Sequence, residues 1–444
     1  MDWLLKRGQM LVARGMQSAC IIQDLLGEGG QAEVYRARIG DQDYALKWYR
    51  KEYLAADRRL WERLKKSINT GSPTDRFLWP FDLVSLPHSR EYGGYLMPIR
   101  PPEFISVVDI TFGRSEPTFR TLMTLGFDIA DSFTKLHDLG MCYRDINFGN
   151  FFYHPKTGEV RIADTDNVDV NMKPGGILGT PGFMAPEVGR GQMLPNSMTD
   201  RFSMAVLFFG LFVMGHPLKG RRESELPYDK DDPFGTQRLC CIDPVFVYDP
   251  QNDSNRPVSG IHDVMMSYWP IFPESLQGLF TESFTKGLND PESRVMDKEW
   301  RREMSTLRDS IFDCPKCESQ NFFNLSRVKR KQSLDACWSC GEVPELPPRM
   351  RLTGPHGVNL VVISRGARLY SHHLESDAYN FSTVQGEIVD GLLGLGLGLK
   401  NLTSKTWSVT SLDGTTMQIP GGAVLTLTDG CKVQFGRAEA EFKL

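Results

Sequence analysis

The stretch YRDINFGN, residues 143–150, places acid and amide side chains at a spacing that suits one kind of chemistry. Asp145 carries a carboxylate, Asn150 follows with a carboxamide, and a second carboxylate, Asp164, comes after a short apolar run. One carboxylate can orient a substrate hydroxyl, while the amide and the other carboxylate can bind a divalent metal ion through oxygen. This set predicts phosphoryl transfer if the rest of the chain supplies a place for a nucleotide.

A glycine-rich turn and a lysine in an apolar strand supply that place. Residues 19–27 read as a strand that enters GEGGQAEVY, whose Gly27, Gly29 and Gly30 let backbone N–H groups approach phosphate oxygens. Taken alone, the glycine cluster is better explained as a plain hairpin turn. Lys47, however, lies in YALKW, where an unpaired ammonium is costly, so it needs an anionic partner.

The segment after this strand is expected to supply the partner of Lys47. Residues 51–68 carry apolar side chains at helical spacing, which predicts one helix. Glu62, in the middle of this helix, is the candidate partner of Lys47, and Glu52 is the fallback. The alternative for either glutamate is a solvated helix face.

Four cysteines form two C-x-x-C pairs. Cys314 and Cys317 are separated from Cys337 and Cys340 by 19 residues. Two tight turns of this kind present four thiolates in a tetrahedron, which predicts a structural zinc ion with no open position for catalysis. Two disulfides are the alternative, and the expected reducing cytoplasm disfavours them.

Composition limits the class of protein. The 444 residues suggest two to four domains, and the 41% hydrophobic and 24% charged residues are typical of a soluble globular protein. A formal net charge of −4 gives no general attraction to nucleic acid or to an anionic membrane, so neither is expected as a partner. Apolar runs are shorter than the roughly 18–20 residues of a membrane span, and the N-terminus lacks a signal-peptide core, which favours the cytoplasm.

Taken together, the motifs resemble the eukaryotic-like (Hanks-type) protein kinase family over residues 18–310. The family order is kept by the glycine-rich loop, YALK, YRDINFGN, IADTD in place of D-F-G, and GTPGFMAPE. Asp200 then matches the buried aspartate of the helix after A-P-E, and Arg294 the arginine that pairs with Glu187. The resemblance implies an α+β, bilobal kinase fold, with an N-lobe at 1–99 and a C-lobe at 100–312.

The resemblance also implies a role for each matching position. Lys47 would contact the α- and β-phosphates of ATP and Glu62 would hold Lys47. Asp145 would orient the acceptor hydroxyl, and Asn150 and Asp164 would bind Mg²⁺ or Mn²⁺. The implied nucleotide contacts are Gly27, Gly29, Gly30, Val34, Ala45 and Met97.

Departures from the family pattern leave three functions open. Asn147 replaces the usual lysine and is expected to donate a hydrogen bond to the γ-phosphate without supplying a charge. Thr165 and Asp166 replace the phenylalanine and glycine of D-F-G, and Asp166 either binds metal or faces solvent. Ser/Thr protein phosphorylation, including autophosphorylation, is favoured in a signalling role. A nucleotide-binding pseudokinase scaffold and a small-molecule phosphotransferase are the alternatives.

Two further side chains have open interpretations. Thr180, in GTPGF, either contacts Asp145 or is a phosphorylation site, and His216 is expected to pack after a buried helix rather than act in catalysis.

The C-terminal third changes to strand patterns separated by D-G and P-G-G turns. Residues 313–346 resemble a zinc ribbon, and 347–444 predict an antiparallel β-sandwich similar to forkhead-associated (FHA-like) domains. The phosphothreonine-reading pattern of that family is not evident, and Ser371, His372 and His373 are expected to be strand and turn residues. The layout resembles bacterial kinases of tellurite-resistance-type gene clusters, which implies a cognate phosphatase and a von Willebrand-type partner beside the protein substrate.

Overall fold

The structure is a computed structural model that describes residues 4–174, 176–226, 233–330, 332–355, 357–376, 378–394 and 396–444. Two compact units divide the chain. The first comprises Met1–Pro117, Thr124–Pro270 and Gln277–Arg301, and the second comprises Thr118–Met123, Ile271–Leu276 and Arg302–Leu444.

The first unit begins with six antiparallel strands that close into a barrel in the order β1-β2-β3-β4-β6-β5. Gly40 has a positive φ of 57° in the two-residue turn between β3 and β4, a conformation that glycine adopts without strain. The strands are β1 (Met10–Ala13), β2 (Ser18–Glu28), β3 (Ala32–Ile39), β4 (Gln42–Tyr49), β5 (Asp82–Ser85) and β6 (Tyr92–Met97).

Two helices follow β4 where the sequence predicts one. Helix α1 (Lys51–Ala56) ends at Asp57, and helix α2 (Leu60–Thr70) begins three residues later. The Asp57 carboxylate accepts a hydrogen bond from the backbone N–H of Arg59 at 3.2 Å. Aspartate competes with the helix for backbone donors in this way, and the predicted continuous helix is therefore wrong.

The remainder of the first unit is mainly helical. Helix α6 is buried on nearly all sides, as its apolar sequence predicts, and Asn196 caps it in a capping box with Thr199. The helices are α3 (Val108–Thr111), α4 (Phe119–Asp138), α5 (Pro186–Gly189), α6 (Ser197–Val213), α7 (Arg221–Ser224), α8 (Pro233–Gln237), α9 (Asp263–Tyr268), α10 (Glu274–Phe284), α11 (Lys286–Asn289) and α12 (Asp297–Asp309). Of these, α4, α10 and α12 have residues in both units. Short strands accompany them: β7 (Ile105–Ser106), β8 (Met141–Cys142), β9 (Phe151–Tyr153), β10 (Val160–Ile162) and β11 (Asp169–Val170).

The second unit holds a two-stranded hairpin and two antiparallel sheets. The hairpin is β12 (Ile311–Asp313) with β13 (Gln320–Phe322), and the sheets have the orders β15-β14-β23-β22-β19-β20 and β16-β17-β18-β21. Side chains from both sheets, among them Met350, Ile388 and Trp407, form one buried cluster. The remaining elements are α13 (Leu325–Lys329), β14 (Arg349–Gly354), β15 (Gly357–Val362), β16 (Arg368–Tyr370), α14 (Ser371–Leu374), β17 (Val384–Asp390), β18 (Leu397–Asn401), β19 (Trp407–Thr410), β20 (Thr416–Ile419), β21 (Val424–Thr426), β22 (Lys432–Gln434) and β23 (Glu439–Lys443).

A buried ion pair joins distant parts of the first unit. The two guanidinium nitrogens Nη1 and Nη2 of Arg294 each lie 2.8 Å from an oxygen of the Glu187 carboxylate, and both side chains are buried. This is the pair that the resemblance implies. Because water is excluded, each charge depends on the other for neutralisation.

We expect Glu187→Gln to lower the free energy of unfolding by about 3–5 kcal/mol, because it leaves a buried guanidinium without its counter-ion. The control is Asp109→Asn, which breaks a solvent-exposed pair with Arg114 and should cost about 1 kcal/mol or less. Urea unfolding of both variants measures the difference. Equal losses in the two variants would contradict the assignment of a structural role to the buried pair.

Candidate active site

A buried aspartate fixes the backbone of the catalytic-motif loop. Asp200, in the first turn of α6, accepts hydrogen bonds from the backbone N–H groups of Tyr143 at 2.5 Å and Arg144 at 2.9 Å. Arg144 has a positive φ of 75°, which a residue other than glycine adopts only when its surroundings hold it. The two hydrogen bonds supply that constraint and determine where Asp145 emerges.

The Asp145 carboxylate lies among the polar residues that the motif predicts. Thr180 Oγ1 donates to Asp145 Oδ1 at 2.6 Å, which is the contact that one of the two interpretations of Thr180 predicts. Asn150 Nδ2 donates to the Asp145 backbone carbonyl at 2.8 Å, and Asn147 Nδ2 donates to the same carbonyl at 3.2 Å and to Thr180 Oγ1 at 3.1 Å. The Asn147 amide is therefore used within the loop rather than aimed at a phosphate.

Lys47 is buried in β4 and has the anionic partner that its position predicts. Its Nζ lies 3.2 Å from Asp164 Oδ1 and 3.1 Å from Asp166 Oδ1. Burial alone would lower the pKa of Lys47, but the two carboxylates outweigh it and raise that pKa, so the ammonium stays charged. The lysine thus connects the barrel to the segment that carries the predicted metal ligand.

The partner of Lys47 is not the one that the sequence predicts. The Glu62 carboxylate is 65% exposed and pairs with Arg59 at 3.3 Å, so the expected contact between Glu62 and Lys47 is wrong for this structure. Asp166, expected to face solvent or bind metal, is instead completely buried against Lys47 and accepts a hydrogen bond from Tyr49. One feature of the sequence could have indicated the pairing of Lys47 with Asp166: an aspartate stands at the position where the family has glycine.

The predicted nucleotide contacts lie on neighbouring strands of the barrel. In the strand register, Val34 is opposite Lys47 and Ala45 is opposite Met97, and the three apolar residues belong to one cluster with Ala163. Gly27 lies near the end of β2, where it pairs with Val34, and Gly30 lies in the turn between β2 and β3. A Cβ atom added to either glycine would meet no atom within 4 Å, so this turn has open space beside it.

Arginines hold the segment that follows Asp166. Nη2 of Arg144 lies 3.5 Å from the Asp169 carboxylate, and Nη2 of Arg59 lies 3.7 Å from the same Oδ2 atom. Arg144 also donates to the carbonyl of Lys173 at 3.1 Å. The guanidinium groups of Arg144 and Arg59 are therefore held by the buried Asp169 carboxylate, and Arg144 also by a main-chain carbonyl.

His216 packs as predicted and supports the GTPGF loop. The backbone N–H of Leu218 donates to its Nδ1 at 3.1 Å, so the proton lies on Nε2, which donates to the Gly182 carbonyl at 2.9 Å. Burial lowers the pKa of His216 to about 4 and keeps the ring neutral.

The four C-x-x-C thiols come together in the second unit. The Sγ atoms of Cys314 and Cys340 lie 3.7 Å apart, those of Cys317 and Cys337 3.6 Å apart, and all four lie within 4.8 Å of one another. Both turns have the same backbone pattern: the N–H of the residue four positions after the first cysteine donates to that cysteine's carbonyl. All nine cysteines are free, so the alternative of two disulfides is wrong.

Comparison with known proteins assigns part of the first unit. Residues 115–268 match the family model of the protein kinase domain. Over these residues the match, with the mixed strands and helices, supports the predicted α+β kinase fold. The chain is 24% identical to the serine/threonine-protein kinase pkn3 of Myxococcus xanthus and 26% identical to the serine/threonine-protein kinase PksC of Streptomyces coelicolor, each over 48% of this chain. It is 26% identical to a putative protein kinase C delta type homolog of Drosophila melanogaster over 46% of this chain.

The alignments span only 30% to 39% of the length of these curated relatives. Separately, the helices in the described part of the chain include none with the length and apolar character needed to cross a bilayer.

His137 is a residue of the site that sequence reasoning missed. Its Nε2 lies 3.1 Å from Asp200 and its Nδ1 lies 2.9 Å from Asp297. Burial lowers the pKa of His137, but Asp297 and Asp200 outweigh burial and raise it from 6.5 to about 9. The imidazolium therefore helps to hold the aspartate that fixes the Asp145 loop.

The raised pKa gives a pH prediction. Because the folded protein holds this proton more tightly than the unfolded chain, the contribution of His137 to stability is complete below pH 6.5 and is lost as the pH rises through about 9. We expect His137→Gln to lower the free energy of unfolding more at about pH 6 than at about pH 10, as measured by urea unfolding.

His216 serves as the control because its pKa shift has the opposite sign. Its folded-state pKa lies near 4, so its contribution is present above pH 6.5 and is lost as the pH falls toward 4. Equal effects of His137→Gln at both pH values would contradict the ion-pair assignment.

Proposed function

We propose that the chain is an ATP-dependent protein kinase that transfers the γ-phosphate to Ser/Thr hydroxyls, including its own, in a signalling role. One observation carries the proposal: Lys47, Asp164 and the loop that holds Asp145 and Asn150 converge from three segments of the chain. Lys47 Nζ lies 3.2 Å from Asp164, Asn150 donates to the Asp145 carbonyl, and the Asn150 carbonyl accepts the Ala163 N–H at 2.9 Å. The Ser/Thr kinases among the similar proteins support the acceptor class.

The donor set fits Mg–ATP. Asp164 has a 42% exposed carboxylate, and together with the Asn150 amide it offers the oxygen ligands that Mg²⁺ or Mn²⁺ prefers. When bound, such an ion neutralises charge on the phosphates. Lys47 supplies a fixed positive charge, while Gly27 and Gly30 have open space beside them that phosphates can enter.

Asp145 is the group placed to act on the acceptor. Its Oδ1 already accepts a hydrogen bond from a hydroxyl, that of Thr180, which shows that the carboxylate can meet a hydroxyl at 2.6 Å. A substrate hydroxyl that takes a similar position would be oriented for attack and would lose its proton to the carboxylate. Asn147 stabilises this geometry through the Asp145 carbonyl and Thr180.

We expect Asp145→Asn and Asp164→Asn each to lower turnover by at least about 100-fold, since positioned catalytic and metal-binding groups supply effects of this size. The assay follows transfer of labelled phosphate from ATP, with Mg²⁺ or Mn²⁺, to a generic protein substrate and to the chain itself. Acid hydrolysis of the product releases the phosphoamino acids, and electrophoresis of the hydrolysate then distinguishes phosphoserine and phosphothreonine from phosphotyrosine.

The matched control is Asp138→Asn, an exposed carboxylate at the end of α4, which should leave turnover unchanged. Near-native activity in either active-site variant would refute its role. Nucleotide binding without any transfer would favour a scaffold, and transfer only to metabolites would favour a small-molecule phosphotransferase.

We propose that the four clustered thiols bind one structural zinc ion. Four sulfur atoms within 4.8 Å of one another fit the tetrahedral site that zinc takes with thiolates, and no ligand position would remain open. The Asn321 amide donates from Nδ2 to Cys337 Sγ at 3.4 Å. Such an N–H donor suits a metal-bound thiolate.

Metal analysis of the purified protein should find about one zinc ion per chain. Cys337→Ser should lose the ion and lower the unfolding temperature, because metal binding and local folding are coupled. The control is Cys431→Ser, a buried thiol of the second unit outside the cluster, which should keep the zinc. A Cys337→Ser protein with full zinc content would overturn the proposal.

We further propose the four-domain division at 1–99, 100–312, 313–346 and 347–444, with the last part an FHA-like β-sandwich. Two antiparallel sheets with one shared core support it. Ser371, His372 and His373 are buried, which argues against their reading a phosphopeptide. The proposed partners are a protein substrate, a cognate phosphatase and a von Willebrand-type protein, in the cytoplasm, where free thiols persist.

A further inference from the structure

We propose that Asp166 is the positioning residue that holds Lys47 for contact with nucleotide phosphates, in place of a carboxylate from helix α2. The inference rests on the proposed nucleotide site and adds how that site is kept in shape. Asp166, two residues after the proposed metal ligand Asp164, would orient the Lys47 side chain, and Glu62 of helix α2 would not.

The burial and bonding of the Asp166 carboxylate make it a partner rather than a bystander. Its side chain is 0% exposed, Oδ1 lies 3.1 Å from Lys47 Nζ, and Oδ2 accepts a hydrogen bond from Tyr49 Oη at 2.5 Å. A buried carboxylate without such partners is strongly disfavoured. The two contacts together fix the carboxylate between two side chains of β4.

The same contacts argue against Asp166 as a metal ligand. Each of its oxygens has a protein partner and none is accessible to solvent, whereas the Asp164 carboxylate is 42% exposed. The two aspartates therefore divide their work: Asp164 is accessible to a metal ion, and Asp166 holds the lysine.

Helix α2 presents a different residue to this site. Arg63 is buried, donates from Nε to the Asp166 backbone carbonyl at 3.3 Å, and pairs with Asp57 at 2.6 Å. Successive helix positions differ by about 100°, so Glu62 points away when Arg63 points inward. Turning Glu62 toward Lys47 would break the buried pair between Arg63 and Asp57.

The turn that carries Asp166 is anchored from a third direction. Thr165 is buried and its hydroxyl donates to the Leu78 carbonyl at 3.0 Å. With Lys47 and Tyr49 on one side and Arg63 on the other, the turn has fixed contacts to β4, to α2 and to the chain before β5. Lys47 and Asp164 are therefore held by one network, so the phosphate-binding charge and the metal-binding carboxylate keep their spacing.

The experiment compares binding of Mg–ADP and of adenosine to the full chain by calorimetry. Because Lys47 would contact phosphates only, Asp166→Asn should weaken ADP binding by about ten- to hundredfold, the effect of a lost charge-assisted hydrogen bond, and leave adenosine binding unchanged. Asp41→Asn, an exposed aspartate of the same barrel, is the surface control and should change neither. Glu62→Gln tests the competing assignment: loss of ADP affinity in this variant, with Asp166→Asn unaffected, would overturn the proposal.

A double-mutant cycle decides the pair even if Asp166→Asn folds poorly. Lys47→Met leaves a buried carboxylate without its cation, so adding Asp166→Asn should stabilise that variant, although the same change destabilises the wild type. Additive effects on urea unfolding would refute the contact. A chain that binds ADP but transfers no phosphate would contradict the kinase function and leave this inference standing, and the unfolding cycle needs no nucleotide at all.

Discussion

An ammonium buried in a barrel strand is the constraint on which the site depends. Lys47 cannot stay charged in β4 without carboxylates, and the nearest ones, Asp164 and Asp166, come from a segment more than one hundred residues further along the chain. The pairing therefore ties the strands to the helical part of the first unit. Once this pairing forms, Asp164, the proposed metal ligand, lies at a fixed distance from Lys47, the proposed phosphate contact.

A second buried charge, the Asp200 carboxylate, fixes the loop of residues 143–150. Asp200 accepts two backbone N–H groups of the loop, which holds Arg144 at a positive φ and presents Asp145. His137 in turn links Asp200 to Asp297, so carboxylates that would repel each other share one imidazolium. The Asp145 side chain thus remains partly exposed, while Asp200 fixes the backbone just before it.

The sequence could predict which residues converge, but it could not predict every partner. Motif order and residue type were enough to place Lys47, Asp145, Asn150 and Asp164 together, and the C-x-x-C spacing was enough to predict a four-thiol cluster. The sequence did not show which face of α2 points toward Lys47, because Glu62 and Arg63 are neighbours and only one of them can face the site. Which of the two does so depends on the break at Asp57, a local side-chain hydrogen bond that apolar periodicity does not report.

The two departures in the D-T-D segment make sense only as a pair. A buried threonine and a buried aspartate replace an apolar anchor and a flexible residue, and either polar group alone would be costly to bury. Thr165 finds the Leu78 carbonyl, and Asp166 finds Lys47 and Tyr49, so both are satisfied in this one arrangement of the turn. A shift of this turn would leave the buried Asp166 carboxylate without Lys47 and Tyr49, which would be costly. The substitutions that look like losses in the sequence therefore fix the turn that carries Asp164.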